Sequence, residues 1–126
     1  MRLTEPEWII MNALWDKHPA RARDVVERLP SSVNWAYTTV KTMLDRLVEK
    51  RAVDKSKRGN IGLYKPVVSR RQARRAAFKT MLNQAFDGTF GSMMHFLVED
   101  EGLSASERKE LIKILSKKNS HEGERK

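Results

Sequence analysis

Cysteine is absent from the 126 residues, so the chain has no disulfide framework, no thiolate metal site and no thiol redox switch. Histidine is scarce: His18, His95 and His121 lie far apart, and none has a second ligand at the i+3 or i+4 spacing of a helical zinc site. No metal and no other cofactor is expected. No apolar run approaches the roughly 18 residues that span a bilayer, and Met1-Arg2-Leu3-Thr4-Glu5 lacks a signal-peptide core. The expectation is a cytoplasmic protein without membrane insertion. Paired carboxylates outside helix-capping contexts are also missing, so no catalytic residue can be named and an enzyme is disfavoured. Internal repeats and low-complexity segments are lacking as well.

What is present is a normal globular balance, 40% hydrophobic and 33% charged, with the net charge of +9 concentrated in one place. From Lys50 to Arg75 stand ten basic residues (Lys50, Arg51, Lys55, Lys57, Arg58, Lys65, Arg70, Arg71, Arg74 and Arg75) against Asp54 alone; elsewhere 15 basic residues balance 15 acidic ones. Such focusing is the footprint of a polyanionic partner. An anionic membrane would also attract it, but the band lacks the interleaved Trp, Phe and Leu needed for insertion, which favours nucleic acid.

The stretch Trp35 to Lys50 precedes this band. On a helix its Val40, Met43, Leu44 and Leu47 form one apolar stripe, and Thr38, Lys41, Thr42, Asp45, Arg46 and Glu49 fall opposite. A solvated amphipathic helix would look the same. The outward residues nevertheless suit a DNA groove: Arg grips guanine O6 and N7, Thr bonds base edges or meets a thymine methyl, and Lys holds phosphate.

Thr4-Glu5-Pro6-Glu7 predicts a capped helix to about Lys17, with Trp8, Ile10, Met11, Leu14 and Trp15 at helical spacing. A second helix is expected from Ala22 to Leu29, stopped by Pro30. After the third helix, residues 52–57 and 61–65 read as strands around Arg58-Gly59-Asn60, where Gly and Asn tolerate positive φ. Three helices followed by a basic hairpin is the order of a winged helix-turn-helix, which would put Lys57, Arg58 and Asn60 at the wing tip. The fold class is thus mainly α with a small β-hairpin wing, and the DNA-binding domain spans residues 1–68.

A helical module of residues 69–116 follows. Ser69 caps a helix reaching Phe86, with Phe78, Met81, Leu82 and Phe86 on its apolar side, and Gly88 ends it. Phe90, Met93, Met94, Leu97 and Val98 recur at helical spacing over Thr89 to Glu99. Ser104 and Glu107 form a second capping box before a last helix carrying Leu111, Ile112, Ile114 and Leu115. Three helices of this length are too few to bury those side chains alone, so a partner chain is the simplest cover. Dimerisation is therefore assigned to Phe78, Met81, Leu82, Phe86, Phe90, Met93, Met94, Leu97, Leu111 and Leu115, with a Met-lined ligand pocket as the alternative. Residues 117–126 are polar and expected to be disordered.

Several stretches resemble the BlaI/MecI family of penicillinase repressors: L-T-E-P-E-W-x-x-M-N-A-L-W at Leu3–Trp15, W-A-Y-T-T-V-K-T-M-L-D-R-L at Trp35–Leu47, Y-K-P at Tyr64–Pro66, and L-V-E-D-E-G-L-S at Leu97–Ser104. The likeness runs in order from about Leu3 to Leu115. It implies a homodimeric winged-helix repressor with intertwined C-terminal helices, bound to double-stranded operator DNA with inverted TACA/TGTA-type half-sites. Thr38, Thr39, Lys41, Thr42 and Arg46 match the recognition-helix pattern, and Arg58 and Asn60 fall in the wing.

The resemblance further implies control of β-lactam resistance genes and relief through a membrane sensor protease pathway that cleaves an Asn-Phe bond; here Phe96-Leu97 stands at that position. Three departures from the family matter. Ala36 replaces the usual Ser cap of the third helix, leaving Asn34 or a water for the first amides. Arg21 stands where Thr or Ser usually precedes the second helix. The cysteine cluster of copper-responsive members is absent. Two other functions stay open: a ligand-responsive regulator of other genes, and a sequence-indifferent architectural DNA-binding protein.

Overall fold

The fold is seen in a computed structural model that describes residues 2–125, with side chains from 2 to 117. Helix α1 (Glu5–Asp16) begins at a complete capping box: the Thr4 hydroxyl accepts from the Glu7 amide and the Glu7 carboxylate accepts from the Thr4 amide. Helix α2 spans Ala22–Glu27, shorter than its apolar spacing predicts. Its last turn tightens first, as the Arg28 and Leu29 amides donate to carbonyls three residues back, before Pro30 is reached. At its start the Arg21 amide donates to the Asp24 carboxylate at 2.9 Å, the reciprocal half of a capping box, which does not depend on a Ser or Thr at position 21.

Helix α3 (Tyr37–Glu49) has no side chain capping its start, and Asn34 does not take that role. It ends in a Schellman turn: the Ala52 amide reaches the Leu47 carbonyl, the Arg51 amide reaches that of Val48, and Arg51 adopts a left-handed φ of 67° without being glycine. Strands β1 (Val53–Arg58) and β2 (Ile61–Pro66) pair antiparallel, with Arg58 opposite Ile61. The turn is thus the two residues Gly59 and Asn60, and Gly59 alone supplies the positive φ, at 64°. An additional bridge pairs Ala20 with Tyr64, joining the α1–α2 connection to the wing.

The α1, α2, α3 and hairpin elements enclose one core. Ile10, Met11, Leu14, Val25, Val40, Leu44, Leu47, Val53 and Tyr64 are fully buried within it. Each such aliphatic side chain contributes roughly 1.5–3 kcal/mol over exposure, which fixes the faces that the helices turn inward. One charge is also buried: Glu7 meets Lys50 at 2.6 Å, and Lys50 also donates to the Arg2 carbonyl.

Helix α4 (Arg70–Phe86) starts at the expected Ser69 cap, which is a full capping box: the Gln72 amide donates to the Ser69 hydroxyl at 3.0 Å and the Ser69 amide to the Gln72 side-chain oxygen at 2.9 Å. Its start is held against α1. Trp15 donates to the Val68 carbonyl at 2.9 Å, Arg70 pairs with Asp16 at 3.0 Å and lies over the Trp15 ring, and Ala73 is buried. The compact units are accordingly Met1–Thr80 and Met81–Lys126, dividing inside α4, whereas composition places a boundary at 68/69.

In the second unit, α5 (Phe90–His95) is α-helical only to His95 and continues as a π-helical turn over Phe96–Glu101, where the apolar spacing predicts one α-helix. Periodicity cannot distinguish the two hydrogen-bond patterns over one or two turns. Phe96 packs on Phe86, with ring centroids 5.6 Å apart. Helix α6 (Ala105–Arg125) opens with the expected Ser104–Glu107 box. The disorder expected over 117–126 concerns residues that, after Lys117, fall outside the described side chains. Among the described side chains from 81 to 117 none is buried; Phe90, Val98, Ile112, Ile114 and Leu115 are each more than half exposed.

This division generates a test. A fragment ending at Thr80 should unfold cooperatively in urea and sediment as a monomer, because its core is closed by its own residues. A fragment that self-associates or lacks a cooperative transition would show that the first unit needs residues beyond Thr80.

Candidate nucleic-acid interface

The outer face of α3 is available because its inner face is spent on the core. Val40, Leu44 and Leu47 are buried and Met43 half-buried, while Thr38, Thr39, Thr42, Arg46 and Glu49 are exposed. The Thr42 hydroxyl donates to the Thr38 carbonyl at 2.9 Å, so Thr42 offers outward its methyl and oxygen lone pairs rather than a donor. That surface suits a thymine methyl or a base amino group. Arg46 has no ion pair among the described residues, which leaves its guanidinium free for bidentate contact.

Lys41 and Asp45, which helical placement puts on the same outward face, are instead half-buried against the hairpin. Asp45 accepts from the Tyr64 hydroxyl at 2.9 Å and pairs with Lys41 at 3.3 Å and Lys55 at 3.5 Å. A helical wheel places residues around one axis and cannot show that β1 and β2 cover one flank of it. Burial pushes the Asp45 carboxyl up, but the hydrogen bonds from Tyr64 and Lys41 and the charge of Lys55 outweigh it, leaving Asp45 below its ordinary range. Burial, then the bond to Asp45, pushes the Tyr64 hydroxyl up to about 12.

At the wing, Lys57, Arg58 and Asn60 are all exposed around the Gly59 turn. The basic band of the sequence is less uniform in space than along the chain. Lys50 is committed to Glu7, Lys55 to Asp45 and Arg70 to Asp16, so these three serve the fold rather than a free cationic surface.

Between α2, α3 and the hairpin lies a solvent-open cleft of about 410 Å³. It is lined by Arg21, Ala22, Arg23, Tyr37, Lys41, Lys55, Lys57, Asn60, Ile61, Gly62 and Tyr64. The cleft unites Lys41, Lys57 and Asn60 of the expected site; Thr38, Thr39, Thr42, Arg46 and Arg58 do not line it. Arg21, Arg23, Tyr37, Lys55 and Ile61 were not legible as site residues. Arg21 and Arg23 lie in a stretch whose charges balance along the chain, and only the packing of α2 beside the wing adds them to the basic surface.

The folded-state carboxyl of Asp45 lies below its ordinary 3.8, so its stabilising contribution is present above that value and is lost as pH falls through the lower folded-state value. Asp45→Asn should therefore lose stability less steeply than the parent chain when urea midpoints are compared from neutral pH into the acid range. Identical acid limbs would show that the Lys41, Lys55 and Tyr64 contacts do not bias Asp45 toward its charged form.

The family model described as Penicillinase repressor matches residues 3–117. The chain is 32% identical over 116 residues to the methicillin resistance regulatory protein MecI of Staphylococcus aureus (strain N315), covering 92% of this chain and 94% of that one. It is 28% identical over 114 residues to the penicillinase repressor of Bacillus licheniformis, covering 90% and 89%. Among solved structures, the CopR repressor aligns with a TM-score of 0.46 at 30% identity, over 55% of this chain and 100% of that chain. The match of motifs, order and length across residues 3–117 places the chain in the penicillinase repressor family, to which it belongs.

Proposed function

We propose that the chain is a homodimeric, sequence-specific repressor that acts in the cytoplasm on an inverted-repeat operator, reading bases with α3 and holding the flanking backbone with the wing. Membership of the family makes it a DNA-binding transcriptional repressor and not an enzyme. The observation that carries the sequence-specific part is the uncommitted outer face of α3: Thr38, Thr39, Thr42 and Arg46 are exposed beside a cationic wing, with no carboxylate among the described residues tying Arg46 down. In this reading Lys41 acts from the flank of α3 through its shared contact with Asp45, and Lys57, Arg58 and Asn60 meet phosphates.

Dimerisation is supported by the second unit, whose described side chains include none that is buried. Phe78 and Met81 on α4 are also exposed, whereas Leu82, Phe86, Met93, Met94, Leu97 and Leu111 are half-buried and Phe90 and Leu115 more than half exposed. A second copy offering the same surface would cover these residues and match the two-fold symmetry of an inverted repeat.

Arg46→Ala and Thr42→Ala should each cost about 1–3 kcal/mol on the operator and little on random duplex, while Arg58→Ala weakens both alike and flattens the salt dependence. The duplex upstream of the chain's own gene, mapped by footprinting, provides the operator. Equal losses on both duplexes for all three variants would favour a sequence-indifferent architectural protein instead.

The relatives named for penicillinase and methicillin resistance suggest β-lactam resistance genes as targets and a membrane sensor protease pathway as the release route. Phe96 and Leu97 stand at the position of the family's scissile pair, at the start of the π-helical turn, where Phe96 is 38% exposed. Cleavage between Met93 and Val98 would separate α5 from α6 and forfeit the gain of binding two half-sites at once. Mass spectrometry of cells exposed to a β-lactam should find the chain cut in that interval. Derepression with the chain intact would point to a ligand-responsive regulator.

A further inference from the structure

The start of α4 is held by few contacts, and they gather around Arg70. Its guanidinium pairs with Asp16, the last residue of α1, at 3.0 Å, reaches the Asn12 carbonyl at 3.5 Å and lies over the Trp15 ring at 5.4 Å. The Trp15 indole in turn donates to the Val68 carbonyl just before the helix. Further along, Ala73 is the one buried residue of α4 among those described, and Arg71, Arg74 and Arg75 are exposed without a carboxylate partner among the described residues. One clasp on the first turn therefore carries a helix of 17 residues.

The helix itself does not call for this clasp. The helix dipole favours acidic residues in a first turn, whereas α4 has none there and begins with two arginines. Its first amides are already served by the Ser69–Gln72 box. Arg70 also buries its Nε without a hydrogen-bond partner among the described residues, a cost that forming α4 does not offset. What Arg70 gains lies on α1. Its planar guanidinium meets Asp16 with one edge and Trp15 with one face, which fixes rotation as well as distance where a lone ion pair would fix distance only.

We infer that Arg70 is a positioning residue for two-site binding: by clasping the start of α4 to the end of α1, it sets which separation of half-sites the dimer accepts. Phe78, Met81, Leu82 and Phe86, proposed above to meet a second copy, stand on the same unbroken helix. The joint between α1 and α4 thus governs how far apart two α3 helices come to lie, and half-site spacing mirrors that distance. Arg70 acts through α4 and touches neither base nor phosphate. The inference rests on the reading of the chain as a dimeric repressor and adds to it the residue that makes the dimer selective for spacing. A rigid joint holds the second α3 in register, whereas a loose one spreads it over more separations at a lower effective concentration at each.

The test measures the affinity of the full chain for three duplexes built from the footprinted operator: a single half-site, both half-sites at their own separation, and both with two base pairs inserted between them. The parent should bind the second far more tightly than the other two. Arg70→Ala should keep its single-half-site affinity within about twofold, weaken binding at the operator's separation about five- to twentyfold, and cut the penalty for the inserted pairs to about threefold or less, as a flexible joint does. Asp16→Asn removes the other half of the clasp from α1 and should relax the spacing in the same direction, which gives the same readout where Arg70→Ala does not melt cooperatively. Equal weakening on all three duplexes by Arg70→Ala would make Arg70 a plain electrostatic contributor, and a parent-like spacing penalty in both variants would leave the clasp without a positioning role; either result overturns the inference. A parent chain that gains nothing from the second half-site would remove the dimeric reading itself, whereas a parent that gains from it beside variants that keep its spacing profile would remove only the role of Arg70.

Discussion

Tyr64 ties together three parts of the first unit that are distant in sequence, and the placement of the wing depends on it. Its body is buried in the core, its backbone exchanges hydrogen bonds of 2.8 and 2.9 Å with Ala20, and its hydroxyl donates to Asp45 on α3. A two-stranded hairpin is marginal in isolation. Here the hairpin gains a third pairing from the α1–α2 connection and an anchor on the helix beside it. The acceptor is a carboxylate rather than a neutral oxygen, which makes the bond stronger and draws Lys41 and Lys55 onto the same group. The position of the wing relative to α3 thus follows from one aromatic residue that satisfies its polar end while burying the rest.

The same arrangement sorts the cations of this highly basic chain. A carboxylate within reach converts a lysine or arginine from a free charge into a structural part, as Glu7 does for Lys50, Asp16 for Arg70 and Asp24 for Arg21. Among the described residues, Arg23, Arg46, Lys57 and Arg58 in the cleft, on α3 and on the wing keep no carboxylate partner, as do Arg71, Arg74 and Arg75 on α4. Net charge sets the long-range attraction to a polyanion, but local contacts depend on which cations are already spent. Seen in this way, the acidic residues of the first unit shape the interface by subtraction.

The second unit obeys a different constraint. Its helices carry large apolar side chains that its own short length does not bury, and the hydrophobic effect makes such a surface costly in water. In the proposed dimer, an assembly that covers it would link stability to association, and an event that disrupts the α5–α6 region would lower DNA affinity through the loss of the second half-site. The π-helical turn at Phe96–Glu101 lies in that region, with Phe96 held against Phe86.

The element order, the capping boxes at Thr4 and Ser104, the inward stripe of α3 and the place of the wing turn were legible from the residues, because each rests on spacing within a few positions; that Arg58 pairs with Ile61 and leaves a turn of two residues rather than three was not. Family membership was legible for the same reason, being carried by short motifs in order. What the chain alone did not reveal depended on contacts across long separations. Arg21 and Arg23 joined the basic surface only when α2 packed beside the hairpin, and Lys41 and Asp45 left the outward face only when Tyr64 and Lys55 reached them from the wing. The sequence by itself determined which helices form and which faces they bury, since period and capping are local properties. Only the tertiary structure decided which charges remain free, because an ion pair exists through distance in space and not through position in the chain.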